Sequence, residues 1–427
     1  MEPLPPRPTV RGAAALSREI VPAFVEYCYY GLIVYSLGLA GELFSMAFLG
    51  AGLNLALAIF CVIRLRARAI SPILMPVSCG ASFVLLQLMI HGEPLTGEYV
   101  RPFVIWIIEF VIVRSLCLRT GFVHRFPIVA MIAGMFLLQH LTVVGGSEVE
   151  RVGLEGLVGL TNPNDLAQWF GFVAVCFVIS GIETNRSIVR IANWLGALGC
   201  FVVVGLTVSR STLVAVLIAS MIALRHLLKR GFIPVLLLLL MIWVFFTTGV
   251  VGQISESYAE RGTEESGRLL VWPLVVERIL ESPILGVATS DTGTYVVGSG
   301  DLTPHNGFLF VALAGGIVPS ILFLAGWIQA ARRAFRATIE RLPDAPFLLP
   351  LLIYVFLAVL AENQAFTSHW AIFSLSLSLT STAMRPKMRD AVRQLIQSTQ
   401  HNMFLSGSKP NVRRNYGLAA RPSSRKR

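Results

Sequence analysis

Residues 235–246 read VLLLLLMIWVFF, an unbroken run of apolar side chains without a charge. A transmembrane β-strand alternates apolar and polar residues, whereas a helix that crosses a bilayer is apolar on every face. This run therefore predicts a membrane helix. The whole chain agrees, since 55% of its residues are hydrophobic and only 14% are charged. Such a composition excludes a soluble globular protein.

The spacing of such runs predicts an all-α integral membrane protein. A hydrocarbon core about 30 Å thick needs roughly 20 apolar residues per helix, which gives about twelve spans. One long polar segment, residues 252–305, is predicted to form a large loop between spans nine and ten. The predicted segments are an N-terminal arm (1–21), spans one to nine (22–251), the loop (252–305), spans ten to twelve (306–384) and a basic tail (385–427). The predicted spans are 22–41, 43–63, 72–91, 102–118, 127–145, 166–182, 188–207, 211–224, 232–251, 306–329, 347–362 and 366–383.

Basic residues are distributed unevenly around these spans. With this topology, 28 of the 35 Lys and Arg residues fall on one side, which the positive-inside rule places in the cytoplasm. Both termini are therefore predicted to be cytoplasmic and the large loop to face outward. The net charge of +11 is explained by this bias and by a tail suited to anionic membrane lipids, not by nucleic-acid binding.

Motifs for metal or cofactor binding are missing from the sequence. The six cysteines all fall in predicted spans, so the large loop is not a disulfide scaffold and has no zinc-type spacing. Asp291 and Asp301 do not form a paired-acid metal motif. A phosphate-binding G-x-x-x-x-G-K-[ST] loop is also missing, which argues against ATP hydrolysis. We therefore predict neither a metal nor another cofactor.

A short turn, TVSRST, is predicted at the outer tip between spans seven and eight. The hydroxyl groups of Ser209, Ser211 and Thr212 suit helix N-capping, and the free N–H groups of a helix N-terminus attract anions. Arg210 adds a guanidinium group to this turn, so the turn predicts a phosphate site. The alternative is an interfacial arginine that extends towards lipid headgroups.

The large loop contains a second candidate anion site. Arg268 precedes an amphipathic stretch, residues 269–280, which is too short and too charged to span a bilayer. We predict that this stretch lies along the membrane interface, anchored by Trp272. Arg268 is suited to bidentate binding of a diphosphate, and Arg261 offers another cation. Local ion pairs with neighbouring glutamates are the alternative.

A histidine at the end of the loop is a candidate base. Thr303 as N-cap and Pro304 as the first helical residue predict a helix start that fixes His305 at the outer surface. Histidine is suited to accept a proton near neutral pH. A structural role is the alternative, and His91 and His369 also lie on the predicted outer side.

Three ionisable residues lie within predicted spans. Glu26, Glu109 and Arg114 are either part of a proton path or members of buried pairs that stabilise the bundle. The sequence does not distinguish these roles.

Five segments occur in a characteristic order. They are LTNPN at 160–164, SRS at 209–211, GRxxxW at 267–272, ESPILG at 281–286 and PHN at 304–306. This order resembles the O-antigen ligase/polymerase family of bacterial membrane glycosyltransferases. The resemblance covers a little over half of the chain, and the first third adds nothing to it.

The resemblance implies a GT-C-like enzyme of the bacterial inner membrane. Its donor would be a glycan on polyprenyl (undecaprenyl) diphosphate, and its acceptor a sugar hydroxyl such as one on lipid A-core. Arg210 and Arg268, with Arg261, would bind the diphosphate, while His305 would activate the acceptor hydroxyl without a metal and with inversion. The supporting residues would be Ser209, Ser211, Asn306, Trp272 and Asn164.

The sequence departs from the family pattern at two positions, and three other functions stay open. Ala288 replaces a second glycine after ESPILG, and Pro273 directly follows the tryptophan. A chain polymerase would share the donor chemistry with a ligase. A flippase of lipid-linked sugars would need the arginines but no base, and a membrane scaffold would need neither.

Overall fold

The structure, a computed structural model, describes most of the chain but not all of it. The described residues belong to one compact unit, Met1–Ser381. The predicted N-terminal arm, ninth span and basic tail lie outside the described residues. The described ranges are 22–35, 47–64, 71–97, 100–119, 121–138, 141–145, 150–154, 163–228, 268–296, 300–340, 342, 344–363 and 365–380.

Helices dominate the described residues, which confirms the predicted helical character, and two short β-hairpins accompany them. The helices are α1 (Ala23–Val34), α2 (Ala47–Arg64), α3 (Leu74–Met89), α4 (Val100–Leu116), α5 (Phe122–Leu137), α6 (Pro163–Glu183), α7 (Ser187–Leu206), α8 (Arg210–Leu228), α9 (Arg268–Glu281), α10 (Gly307–Gly315), α11 (Ile317–Ile339), α12 (Ala345–Ala361) and α13 (His369–Thr380). The strands are β1 (Leu141–Gly145), β2 (Glu150–Leu154), β3 (Thr294–Val296) and β4 (Gly300–Leu302).

Three helical segments are long and apolar enough to cross a membrane. They are Ser71–Met89, Pro163–Glu183 and Ser187–Leu206, all found within the described residues. Four further apolar helices in the same residues are shorter. These segments agree with a membrane protein, and the count of about twelve spans stays a prediction.

The predicted fifth span, residues 127–145, is too long. Helix α5 ends at Leu137, and residues 141–145 form β1, which pairs antiparallel with β2. The reason lies in Thr142, Val143 and Val144, because consecutive β-branched residues favour extended backbone. Two short pairs of strands thus accompany the helices of a mostly helical protein.

The predicted tenth span, residues 306–329, is two helices. Gly316 separates α10 from α11 and has a φ of +64°, in the left-handed region that favours glycine. A Cβ atom at Gly316 would lie 2.3 Å from the carbonyl oxygen of Ile284. A Cβ atom at Gly286 would lie 2.6 Å from the carbonyl oxygen of Leu313. The ESPILG segment therefore packs directly against the helix break.

Replacement of Gly286 by alanine is expected to destabilise the protein. The φ of Gly286 is +69°, and the added methyl group would collide with backbone atoms, so we expect a loss of at least about 1–3 kcal/mol. The melting temperature of the purified protein measures this effect. Ala288→Gly is the matched control, since Ala288 has an ordinary φ of −56° and needs no glycine. An equal fall in melting temperature in the two variants would contradict the conclusion that position 286 requires glycine.

Gln87 of α3 holds the residues that follow the ESPILG segment against the break between α10 and α11. Its side-chain N–H groups donate to the carbonyl oxygens of Val287 at 3.2 Å and Ala314 at 2.6 Å. Its carbonyl oxygen accepts from the backbone N–H of Thr289 at 3.1 Å. Because Gln87 is fully buried, these three hydrogen bonds fix the loop that follows α9.

Helices α6, α8 and α12 approach one another closely. A Cβ atom at Gly171 of α6 would lie 2.6 Å from the hydroxyl oxygen of Tyr354 and 3.1 Å from Cγ2 of Thr212. The Tyr354 hydroxyl donates to the carbonyl oxygen of Gln168 at 2.5 Å. A glycine at position 171 thus lets the three helices meet, and their ends carry the site described below.

The buried acids of the helices have ion-pair partners. Glu26 accepts hydrogen bonds from Arg119 at 2.7 Å and from Arg125 at 2.6 Å. Glu109 lies 2.7 Å from Nδ1 of His369. For Glu26 and Glu109, the structure therefore supports the predicted stabilising pairs.

Candidate functional site

His305, Glu362 and Asn164 form a hydrogen-bonded cluster, which we call the HEN cluster. Nδ1 of His305 lies 3.1 Å from Oε2 of Glu362, and Nδ2 of Asn164 donates to Oε1 of the same carboxylate at 2.8 Å. Asn164 belongs to the first turn of α6, His305 precedes α10, and Glu362 directly follows α12. The structure thus brings together three segments that are far apart in the sequence.

The HEN cluster has the arrangement of an oriented base. A carboxylate that accepts the Nδ1–H of His305 leaves Nε2 unprotonated and able to take a proton. Glu362 is buried, with 6% of its side chain exposed, whereas 33% of the His305 side chain is exposed. Asn164 occupies the second carboxylate oxygen, so Glu362 has little freedom to move. The cluster can therefore accept a proton from a hydroxyl group brought to the open side of His305.

The local backbone of His305 differs from the prediction. The helix begins at Gly307, and Asn306 is its N-cap, because its side-chain oxygen accepts from the N–H groups of Phe308 at 3.0 Å and Leu309 at 3.2 Å. The predicted start with Thr303 as N-cap is therefore wrong. Asparagine binds the free N–H groups of a first turn well, and its position decides where the helix begins.

His305 also has an unusual backbone conformation. Its φ is +44°, and Val208 is the only other non-glycine residue with a positive φ in the described part of the chain. Positive φ values are strained for residues other than glycine, most of all for a β-branched valine. The two strained residues lie in, or directly beside, the PHN and SRS segments. Strain of this kind persists where the surrounding structure holds a functional geometry.

Trp272 binds the segment that carries His305. Its indole N–H donates to the carbonyl oxygen of Pro304 at 2.9 Å, so it contacts protein where we predicted an anchor in the membrane interface. The amphipathic stretch at 269–280 lies in α9, whose residues Val271 and Val275 are buried against α10. An open groove of about 510 Å³ lies between α9 and α10. Its lining residues are Trp272, Pro273, Val276, Asn306, Phe308 and Leu309.

The turn before α8 lies inside the protein. Helix α8 begins at Arg210, at the helix start suggested by the flanking hydroxyl groups. Thr207, Val208 and Ser209 are buried, and the predicted outer location of the turn stays a prediction. The Ser209 hydroxyl donates to Oγ1 of Thr212 at 3.1 Å, while Ser211 is half-buried. Such burial is possible because the turn's hydroxyl groups bond within the turn.

The position of α8 places Arg210 below the level of the HEN cluster. Short turns join α6 to α7 and α7 to α8, so α6 and α8 run in the same direction. Thr212 packs at the level of Gly171. Gly171 lies about 10 Å along α6 from Asn164, because a helix rises about 1.5 Å per residue. Arg210 therefore begins α8 at a level below the cluster.

The other two predicted arginines are described less fully. Helix α9 begins at Arg268, whose side chain lies outside the described residues, as does all of Arg261. Arg278 is described, and it donates to the carbonyl oxygens of Gly293 and, at 2.6 Å, of Asp291. Arg278 therefore holds the loop after α9.

Glu93 and His91 contact the same loop. Hydrogen bonds from Ser290 hold the pKa of the Glu93 carboxyl below its ordinary value. His91, one of the alternative bases, lies with Nε2 3.3 Å from the carbonyl oxygen of Leu285. The described hydrogen-bond contact of His91 is thus to backbone, and His91 also interacts electrostatically with the Glu93 carboxylate.

A comparison with known protein families addresses the chain's identity. A family model described as O-antigen ligase matches residues 195–324, which include Arg210, Arg268 and His305. This match supports an O-antigen ligase/polymerase assignment. Enzymes of this family are membrane glycosyltransferases, so the match also supports an enzyme at the family level. No curated protein matches the chain.

Glu362 is the site residue that sequence reasoning missed. It belongs to none of the segments that resemble the O-antigen ligase/polymerase family, and it lies outside the matched range. Its one signal is an acid at the end of a predicted span, on the same predicted side as His305. Acids in such positions are common, so only the fold reveals that this one contacts the histidine.

Proposed function

We propose that this protein transfers a glycan from a polyprenyl (undecaprenyl) diphosphate donor to a sugar hydroxyl, as in ligation of O-antigen to lipid A-core. The observation that carries the proposal is the HEN cluster, in which a buried carboxylate orients a partly exposed histidine. A flippase or a scaffold has no need of an oriented base. The family assignment at residues 195–324 agrees with this chemistry.

In the proposed reaction, His305 takes the proton of the acceptor hydroxyl. The acceptor oxygen attacks the anomeric carbon of the donor, and the bond from that carbon to the diphosphate oxygen breaks. The diphosphate leaves as an anion, and the configuration at the anomeric carbon inverts. Arg210 and Arg268, with Arg261, stabilise the growing negative charge, for which arginine is well suited.

The proposed location follows from the charge distribution of the loops. The protein lies in the bacterial inner membrane with both termini in the cytoplasm, and the reaction takes place on the periplasmic face. A chain polymerase with the same donor chemistry stays the alternative, because the two reactions differ only in the acceptor.

The experiment is complementation of a deletion strain, followed by gel analysis of surface glycans. Arg210→Ala is expected to reduce transfer about 10²–10³-fold, since it removes a group that stabilises the leaving diphosphate. Arg336→Ala is the matched control, because Arg336 is exposed on α11 and pairs with Glu340 at 3.2 Å, four residues along the same helix. Unchanged glycans in the Arg210 variant would contradict the proposal.

The deletion strain itself separates the two reactions. Loss of long chains from the lipid core, with accumulation of lipid-linked polymer, indicates a ligase. Single repeat units on the core indicate a polymerase. Normal surface glycans without the gene would exclude both.

A further inference from the structure

Gln168 of α6 carries a buried side chain with an unused hydrogen-bond donor. Only 2% of the residue is exposed, and Nε2 has no hydrogen-bond partner among the described residues. A buried amide without a partner destabilises a folded protein, so such groups are rare and need an explanation. A bound ligand is one explanation, since the donor is then satisfied only in the complex.

The position of Gln168 connects it to the candidate site. Gln168 lies one helical turn below Asn164 and three residues before Gly171, so the three residues share one face of α6. Asn164 contacts Glu362 at the upper end of that face, and Gly171 contacts Thr212 of α8 lower down. Gln168 therefore lies between the HEN cluster and the level at which α8 begins.

The charges around this position favour an anion at the depth of Gln168. Glu362 and Asp165 both lie near the upper end of α6, and their carboxylates interact electrostatically. The carboxylate of Glu362 repels a diphosphate at that level. Arg210, at the start of α8, places a positive charge below the HEN cluster, near the level of Gln168. An amide donor at this depth adds a hydrogen bond to an anionic oxygen that the arginine attracts.

We propose that Gln168 is a donor-binding residue whose side-chain N–H groups bind a diphosphate oxygen of the lipid-linked substrate. This inference rests on the proposed function, and it adds a binding residue outside the segments that resemble the family. It also explains why α6 retains a polar side chain with an unpaired donor in its buried interior.

The test compares ligand binding by the full chain and by Gln168→Met, which keeps the length of the side chain but removes the donor. Farnesyl diphosphate is the probe, and farnesol is the same chain without the anion. Farnesyl diphosphate is expected to bind about 10- to 100-fold more weakly to Gln168→Met, with farnesol binding unchanged. Ligand-free Gln168→Met is expected to melt at the same or a higher temperature, because an unsatisfied donor is gone. Equal affinities, or a lower melting temperature, would overturn the assignment.

Two further variants sharpen the result. Gln168→Glu keeps the shape but offers only acceptor oxygens and a negative charge, so it is expected to bind farnesyl diphosphate no better than Gln168→Met. Wild-type affinity in Gln168→Glu would show that the partner is not an anion. Ser220→Ala is the matched control, since this buried hydroxyl of α8 also has no described partner but lies far along the helix from Arg210. The control is expected to bind both probes as the wild type does.

Failure of this inference is distinguishable from failure of the proposed function. If Gln168→Met binds farnesyl diphosphate normally while a variant without His305 is inactive in transfer, only the role of Gln168 is wrong. If the variant without His305 transfers glycan normally, the proposed function itself is wrong.

Discussion

His305→Ala is expected to abolish glycan transfer while donor binding is retained. Removal of a general base costs about 10²–10⁴-fold in rate, because the acceptor hydroxyl must then lose its proton to water. The arginines proposed to bind the diphosphate are untouched by this change. The measurement is transfer from a lipid-linked glycan to an acceptor by the purified protein, with donor binding measured separately.

His91→Ala is the matched control for this prediction. The described hydrogen-bond contact of His91 is a backbone carbonyl, that of Leu285 at 3.3 Å, and its side chain lies outside the HEN cluster. We expect this variant to transfer glycan at the wild-type rate. Normal turnover by His305→Ala would exclude a catalytic histidine at this position and would favour the flippase, which binds the same donor without a base.

Short-range features of the site were predictable from the sequence. The start of α8 at Arg210 followed from hydroxyl residues suited to a helix N-terminus, and α9 followed from its amphipathic pattern. Both signals depend on residues a few positions apart. The membrane class followed from composition, because long apolar runs in one chain have few other uses.

Long-range features were not predictable in the same way. Glu362 contacts His305 across 57 positions and Asn164 across 198, so its role depends on how α6, α10 and α12 pack. The burial of the turn before α8 likewise depends on how the helices pack. Its hydroxyl groups bond locally, and a polar sequence does not reveal this.

The incorrect prediction of where α10 begins came from competition between two possible N-cap residues. Thr303 and Asn306 are both good N-cap residues, and each is followed by a plausible first turn. The structure uses Asn306, which leaves His305 outside the helix with a φ of +44°. This choice places the imidazole beside Glu362. A helix that began at Pro304 would instead have included His305 in its first turn.

Glu362→Gln is expected to reduce the turnover number about 10²–10⁴-fold with little change in donor affinity. The amide keeps the size of the side chain but removes the negative charge that orients His305 and stabilises its protonated form. An amide can also donate to Nδ1, which would place the proton on Nε2, the nitrogen that must accept it. The readout is therefore the turnover number and the donor affinity, measured separately at one pH.

Two comparisons show that such a loss comes from orientation and not from misfolding. Asn164→Ala removes the donor at 2.8 Å from the Glu362 carboxylate but keeps its charge, so we expect a smaller loss of turnover than in Glu362→Gln. Glu362→Asp retains the charge at a shorter reach, so it should recover part of the rate. Turnover in Glu362→Gln equal to that of the wild type, at equal melting temperature, would show that His305 needs no carboxylate. The HEN cluster would then be a structural contact, because a base that works equally well with a neutral partner is positioned by other groups.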